Sequence, residues 1–209
     1  GVSSAASDVY KRQPHGYGLL SMLRAHIDVA MDEPRDRNIF GAFALMISDD
    51  IVRASSSRAP EAGPAASALA LIAHMPGLSI RMLSIGVGLS HAATVRLVDR
   101  LAAEGLVERR EHFTDGRTRS LYLTAAGKIA SDEVLSSRDE VIAEGLSILS
   151  PDELKVLGAI AERVLRNRLE NLEHSYRICR LCCYEGCTNC PIDAELHERG
   201  VDRENSGEA

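Results

Sequence analysis

The chain has 209 residues, of which 45% are hydrophobic and 26% are charged, and these shares exclude a disordered, collagen-like or disulfide-dense chain. Its 24 basic and 30 acidic side chains give a net charge of −6 at pH 7, which excludes a uniformly basic nucleic-acid coat but leaves room for a local basic patch. With five Tyr, three Phe and no Trp, the chain is too poor in aromatic residues for a base-stacking platform.

The N-terminal residues do not read like the start of a natural coding sequence. The run Ser-Ser-Ala-Ala-Ser-Asp-Val-Tyr-Lys-Arg-Gln at 3–13 resembles the in-frame translation of a transposase-based sequencing adapter; the alternative is a disordered N-terminal arm. We therefore treat 1–30 as an uncertain segment and Met31 as the predicted start. Since no apolar run reaches the roughly 18–20 residues that span a bilayer, we expect a cytoplasmic protein without a membrane partner.

Two helices are predicted from the next stretch. Apolar residues one turn apart place a helix near 36–56, and a Ser/Pro-rich loop follows it. An Ala/Leu-rich run at 65–74 predicts the second helix, which Pro76-Gly77 ends.

A pair of helices follows, each opened by a serine that can cap its N-terminus. Ser79 begins a short helix that reaches about Ile85, and Ser90 begins a stronger one that Gly105 ends. We expect Gly86-Val-Gly88 to form the turn between them, because each glycine costs about 1 kcal/mol inside a helix.

The second half begins with a predicted hairpin. Strand-like segments at 106–110 and 120–123 flank a polar turn. Thr124 then caps a helix at roughly 125–147. Ser150, followed by Pro and two acidic residues, caps a long amphipathic helix.

Two apolar stripes, on the first and on the last long helix, predict self-association. A monomer of this size would struggle to cover both, so we expect a homodimer. The alternative is that both stripes pack on the central domain of the same chain. The predicted dimer interface consists of Phe40, Phe43, Ile47, Leu157, Val164, Leu165, Leu169 and Leu172.

Short helix, turn, capped helix and hairpin, in this order, predict a winged helix-turn-helix that reads duplex DNA. A major groove about 12 Å wide accepts one helix, whose N-terminal residues then face the base edges. The segment 90–120 carries six arginines and five acidic residues, a net charge of +1 in an acidic chain. A solvated helix face without DNA contact is the alternative. The predicted contacts are Ser90, His91, Ala92, Thr94, Arg96 and Arg100 on the helix, with Arg117 and Arg119 at the hairpin tip.

The residues that carry a family resemblance lie in this same region. The segment 89–107, the turn Asp115-Gly-Arg117 and the run Leu121-Tyr-Leu-Thr-Ala-Ala-Gly127 resemble the MarR family of bacterial transcription regulators, and the similarity covers roughly 36–172. The resemblance implies a mainly α (α+β) fold: a winged helix-turn-helix domain with long N- and C-terminal dimerisation helices. It also implies that Arg117 is the wing arginine and that Asp115 orients a nearby arginine.

The implied function is that of a ligand- or redox-responsive repressor, acting as a homodimer on double-stranded DNA with a pseudo-palindromic operator. An unidentified small-molecule effector is a further expected partner, and His74, Met75 and Met82 are candidates to line its site, although core packing is the alternative for the methionines. No catalytic motif is present, so we expect no enzyme activity. The alternative function is a winged-helix protein-interaction or metal/redox-sensing module that does not bind DNA.

All five cysteines lie within twelve residues near the C-terminus. Two C-x2-C pairs, Cys179 with Cys182 and Cys187 with Cys190, suit a tetrahedral Zn²⁺ site, with Cys183 as a spare thiol. Zn²⁺ is thus the one candidate cofactor. A thiol–disulfide switch, an iron–sulfur site and inert thiols are the alternatives.

These patterns predict five segments along the chain. They are the uncertain N-terminal segment (1–30), an N-terminal dimerisation helix and loop (31–64), the winged helix-turn-helix domain (65–125), C-terminal dimerisation helices (126–175), and a Cys-rich segment with an acidic tail (176–209).

Overall fold

The computed structural model describes residues 33–61, 63–111, 119–184 and 186–201. Its helices there are α1 (Glu33–Arg58), α2 (Ala65–His74), α3 (Ile80–Val87), α4 (His91–Ala103), α5 (Ala125–Leu146), α6 (Pro151–Arg168), α7 (Leu172–Ile178) and α8 (Pro191–Glu198). The strands are β1 (Leu78–Ser79), β2 (Val107–Glu111) and β3 (Arg119–Leu123). Helices dominate and the sheet is small and antiparallel, which confirms the predicted mainly helical fold class.

The chain divides into two compact units, 1–45 and 46–209, and the boundary falls within α1. The first unit is described from Glu33 onward, where Phe40 is 65% exposed and Phe43 is half-buried. The predicted segment 1–30 and the last eight residues of the predicted segment 176–209 lie outside the described residues. The second unit contains all the remaining elements.

Four helices begin at the residues that the sequence predicted, because a side-chain oxygen accepts a backbone N–H in each first turn. The caps, with their donors and distances, are Ser79 from Met82 at 3.2 Å, Ser90 from Ala93 at 3.3 Å, Thr124 from Gly127 at 3.0 Å and Ser150 from Glu153 at 3.3 Å. These predicted helix starts are confirmed.

The cap at Ser150 is reciprocal, since Glu153 Oε2 accepts the backbone N–H of Ser150 at 2.9 Å. We expect Ser150→Ala to lower the free energy of unfolding by about 1 kcal/mol, because α6 then loses an N-cap acceptor. Urea unfolding followed by circular dichroism measures this change. Ser136→Ala, at an exposed position inside α5, is the matched control, and equal losses in the two variants would contradict the capping role.

The predicted turn at Gly86-Val-Gly88 is wrong in part. Helix α3 continues through Gly86 and Val87, and only Gly88 adopts the left-handed conformation, with φ +70°. A Cβ built on Gly86 would lie 2.5 Å from Leu71 Cδ1 and 3.4 Å from Tyr176 Cβ. Close packing of α3 against Leu71 and Tyr176 therefore favours a residue without a Cβ here, which offsets the helix penalty of glycine.

The sheet joins the hairpin to the helices. Strand β3 lies between β1 and β2, with Leu78 opposite Leu121 in one pair and Val107 opposite Leu123 in the other. The hairpin was predicted, whereas β1, two residues long, was not. One core beneath the sheet fixes α2, α3 and α4, and its largest members are Leu69, Leu71, Ile72, Leu83, Leu97, Val98, Leu101 and Leu121.

The C-terminal part differs from its prediction. Helix α6 ends at Arg168, so the apolar stripe does not continue as one helix to Leu172. Leu169 is only 3% exposed and packs with Cys179, Ile192 and Leu196, and Leu172 packs against the same cluster. Because its own chain covers Leu169, this residue does not lie on the open face predicted for dimerisation. Leu172 is only partly buried, and its predicted role at the interface stays a prediction.

Candidate nucleic-acid interface

Helix α4 is held so that one face stays open. Gly88 makes the sharp turn after α3, and Leu97 and Val98 anchor α4 in the core, both fully buried. The opposite side and the first turn are exposed, including Ser90, His91 and Arg96. The polar N-terminal end of a firmly packed helix is therefore available to an outside partner.

Four of the predicted contact residues share this open end. Ser90, His91 and Ala92 are exposed in the first turn, and Arg96 is exposed one turn later. Within the part of the chain that the structure describes, no hydrogen bond or ion pair engages the Arg96 side chain. An uncommitted guanidinium suits bidentate binding to a guanine edge or a phosphate.

The prediction for Thr94 is wrong. Its side chain is wholly buried, and its Oγ1 donates a hydrogen bond to the Ser90 carbonyl oxygen at 3.0 Å. Thr94 lies on the same side of α4 as Leu97 and Val98, so its hydroxyl cannot reach a base or phosphate. A buried threonine in a helix commonly donates its hydroxyl hydrogen bond to a carbonyl oxygen of the preceding turn, as Thr94 does.

Arg100 already has a partner. Its Nε and Nη2 donate to the two carboxylate oxygens of Glu61 at 2.6 Å and 2.8 Å. The hydrogen bonds that Arg100 donates to Glu61 hold the pKa of Arg100 above its usual value, against a smaller opposing effect of desolvation. This pair ties α4 to the segment before α2, so Arg100 reaches DNA only by giving up Glu61.

The base of the hairpin is also fixed to α4. Arg109 forms an ion pair with Asp99 at 2.7 Å, which links β2 to α4. Arg110 contacts Glu108 and lies 4.4 Å above the ring of Tyr122. The sequence analysis missed the Arg109–Asp99 link, because partners ten residues apart on a helix and a strand leave no periodic signal.

The predicted hairpin tip falls largely outside the described residues. Asp115 and Arg117 lie in 112–118, which the structure does not describe. The backbone of Arg119 belongs to β3 and pairs with Glu111. The roles predicted for these three residues stay predictions.

A cavity of about 670 Å³ lies in the second unit. Its walls come from the end of α2, the β3–α5 junction, α5 and the cysteine segment, and they include His74, Lys128, Asp139 and Cys182. The ring of His74 contacts that of Tyr184 edge-on, with centroids 4.3 Å apart. Of the three residues predicted to line an effector site, His74 lines this cavity.

Met75 and Met82 instead pack against the core of the second unit. This is the alternative that the sequence analysis left open for the two methionines, and it is the one the structure adopts. The cavity is lined mainly by apolar side chains with a few charged groups between them, as small-molecule sites usually are.

The five cysteines are all thiols and lie between α7 and α8. Cys182 donates its backbone N–H to the Cys179 carbonyl at 3.0 Å, and a hydrogen bond between the two thiols raises the pKa of Cys182, with burial adding to it. Burial raises the pKa of Cys190 to about 11, against the backbone N–H groups that begin α8. No three His, Cys, Asp or Glu side chains among the described residues are grouped to hold one ion.

A short helix, a glycine turn, a second helix with an open N-terminal end and an adjoining hairpin define a winged helix-turn-helix protein. A sequence model of the MarR family matches residues 62–118. The chain is also 30% identical over 101 residues to the HTH-type transcriptional regulator BilQ of Clostridium symbiosum. The aligned region covers 48% of this chain and 70% of BilQ. The chain belongs to the MarR family.

Other similarities agree with this assignment. The transcriptional repressor MprA of Escherichia coli K12 is 34% identical over 91 residues, which is 44% of this chain and about half, 51%, of MprA. The crystal structure of YusO from Bacillus subtilis aligns with a TM-score of 0.53 at 22% identity, over 66% of this chain and 98% of YusO. The crystal structure of apo MarR from E. coli aligns with a TM-score of 0.51 at 21% identity, over 60% of this chain and 96% of MarR. The two structures share the fold.

Among the helices of the described residues, none is both long and apolar enough to cross a membrane.

Proposed function

We propose that the chain is a sequence-specific, double-stranded DNA-binding transcription regulator that acts as a homodimer in the bacterial cytoplasm. The observation that carries this proposal is the open N-terminal end of α4, where Ser90, His91 and the uncommitted Arg96 are exposed together. The names of the similar proteins support it, since BilQ is a transcriptional regulator and MprA a transcriptional repressor. The regulator is accordingly proposed to repress transcription. No enzyme activity is proposed for it.

The proposed dimer rests on apolar side chains left open to solvent. Helix α6 is described throughout and has no buried residue. Ile160 and Val164 on α6 are each 51% exposed, and Ile148 just before it is 88% exposed. Apolar surface of this kind is typical of a protein–protein interface. A second copy of the chain is the proposed partner, with Leu157, Leu165 and Ile47 at the same interface.

The dimer makes a prediction about Val164. We expect Val164→Asp to shift the chain from dimer to monomer, because a carboxylate would be buried in an apolar interface without a partner. Analytical ultracentrifugation measures the mass, expected near twice 22.6 kDa before the change and near 22.6 kDa after it. Lys155→Asp, at an exposed position on the same helix, should remain dimeric. Equal masses for both variants would contradict the proposed interface.

Duplex binding tests the function itself. Fluorescence anisotropy with labelled DNA should show an affinity that falls steeply as salt rises, since arginines that bind phosphates release counterions. Six phosphate contacts would lower the affinity by about a thousandfold between 50 and 200 mM salt. A chain that binds its operator equally well at both concentrations, or binds only other proteins, would contradict the proposal.

The cavity beside α5 is the proposed effector site. It is enclosed on one side by the hairpin's last strand through Tyr122 and Leu123, and on the other by Cys182 and Tyr184. An apolar or aromatic compound with one polar group fits a lining in which Lys128 and Asp132 interrupt apolar side chains. Because β3 leads directly into α5 at this wall, an occupant would act on the base of the hairpin.

A further inference from the structure

We propose that Cys179, Cys182, Cys187 and Cys190 bind one Zn²⁺ ion, and that this site controls the position of the helix-turn-helix through α7. The two C-x2-C pairs stand at the end of α7 and at the start of α8. Leu169, Ile192 and Leu196 bring these two helix ends together around the buried Cys179. Four thiols from adjoining turns provide the ligand set that Zn²⁺ takes in structural sites.

Backbone turns and apolar packing hold the segment that carries the four cysteines. The backbone bond from Cys182 to Cys179 closes one tight turn at 3.0 Å, and Cys187 donates its N–H to the Tyr184 carbonyl at 3.0 Å in the next. Cys179, Cys182 and Cys190 all pack on the same apolar cluster. Cys187 lies three residues before Cys190, the same spacing that separates Cys179 from Cys182.

Binding one ion requires the thiols to come closer together. Among the described residues, no three His, Cys, Asp or Glu side chains are grouped around one point. The residues at 181–184 and 186–190, which carry three of the four ligands, form neither helix nor strand. Drawing Cys187 toward Cys182 and Cys190 therefore breaks no regular hydrogen-bond ladder. Cys183 is the spare thiol, since it falls outside the two C-x2-C pairs.

Helix α7 is the physical link from this site to the helix-turn-helix. Its Tyr176 is buried against Gly86 of α3, where an added Cβ would come within 3.4 Å of the Tyr176 carbonyl oxygen. In the first turn of α7, Glu173 pairs with Arg81 of α3 at 3.0 Å. A metal that orders the end of α7 thus acts directly on the first helix of the DNA-reading pair. This second step rests on the proposed function, whereas metal binding does not.

The metal step is tested on the full chain purified without a histidine tag. We expect inductively coupled plasma mass spectrometry to find one zinc ion per chain. Replacement of zinc by Co²⁺ should give the intense visible absorption of cobalt bound to thiolates. Cys187→Ser and Cys190→Ser should lose this metal, while Cys183→Ser keeps it, with circular dichroism checking that each variant is folded. Zinc well below one per chain, an iron–sulfur absorption, or a Cys179–Cys182 disulfide in the purified protein would overturn the proposal.

Hydrogen exchange tests the coupling. Adding Zn²⁺ to the chelator-treated chain should slow amide exchange in 172–201 and also in α3, because α7 then holds α3 in place. Protection confined to 172–201 would overturn the coupling and leave the metal site standing. Stoichiometric zinc in a chain that binds no duplex would overturn the proposed function alone, so the two failures are distinguishable.

Discussion

Replacing Gly127 by alanine is expected to lower the free energy of unfolding by about 3 kcal/mol. A Cβ at this position would lie 1.9 Å from the carbonyl oxygen of Leu106, which is backbone and not a flexible side chain. That carbonyl cannot retreat freely, because it accepts the backbone N–H of Thr124 at 3.0 Å. The change would therefore separate the base of the hairpin from the first turn of α5.

Chemical denaturation of the purified variant measures this loss. Gly41→Ala is the matched control, since a Cβ built there would meet no described atom within 4 Å beyond its chain neighbours and its own helix backbone. Alanine should stabilise that helix position by about 0.5–1 kcal/mol. Comparable stability of the two variants would show that the contact between Gly127 and Leu106 does not constrain the fold.

Replacing Arg96 by alanine is expected to weaken operator binding about a hundredfold. Each half-site of a dimer would lose an arginine contact worth about 1–3 kcal/mol, and two half-sites lose it together. The stability of the chain should change little, because the Arg96 side chain is exposed and forms no hydrogen bond or ion pair with other described residues. Anisotropy titration and thermal unfolding of the same preparation separate the two effects.

Two further variants give this result its meaning. Thr94→Val removes a hydroxyl that is buried and bonded within α4, so it should leave DNA affinity nearly unchanged. Arg100→Ala should cost less affinity than Arg96→Ala, because Arg100 is engaged by Glu61. If Thr94→Val weakens binding as much as Arg96→Ala does, α4 does not present the face described above.

Local signals allowed much of the fold to be predicted. The caps at Ser90 and Ser150 act within three residues, so a short window contains everything that decides the helix start. The hairpin was predicted for the same reason, from two strand-like runs around a polar turn. The residues that determine such features are neighbours in the sequence.

Features set by distant partners could not be predicted in this way. Gly86 resembles a turn residue in sequence, yet its role is set by Leu71 and Tyr176, fifteen and ninety residues away along the chain. Thr94 resembles a surface residue until the burial of the Leu97 side of α4 is known. The end of the apolar stripe at Leu169 depends on Ile192 and Leu196, which reach it only after the chain turns back.

The candidate site was predicted in outline and corrected in detail. Helix α4 and the residues of its first turn were predicted from order and spacing alone. The commitment of Arg100 to Glu61 and the link from Arg109 to Asp99 are ion pairs between separate elements, which a one-dimensional pattern does not contain. Arg96 therefore remains the cation on α4 for which the described structure offers no internal partner.

Selection of bound duplexes from random DNA tests the central claim, that the chain reads operators as a dimer through α4. The enriched sequences should be pseudo-palindromic, with two half-sites centred about one helical turn, or about 10 base pairs, apart. Arg96→Ala should abolish or relax the preference at one position in each half-site. Absence of any enriched sequence, or enrichment of an isolated half-site by the dimer, would contradict the claim.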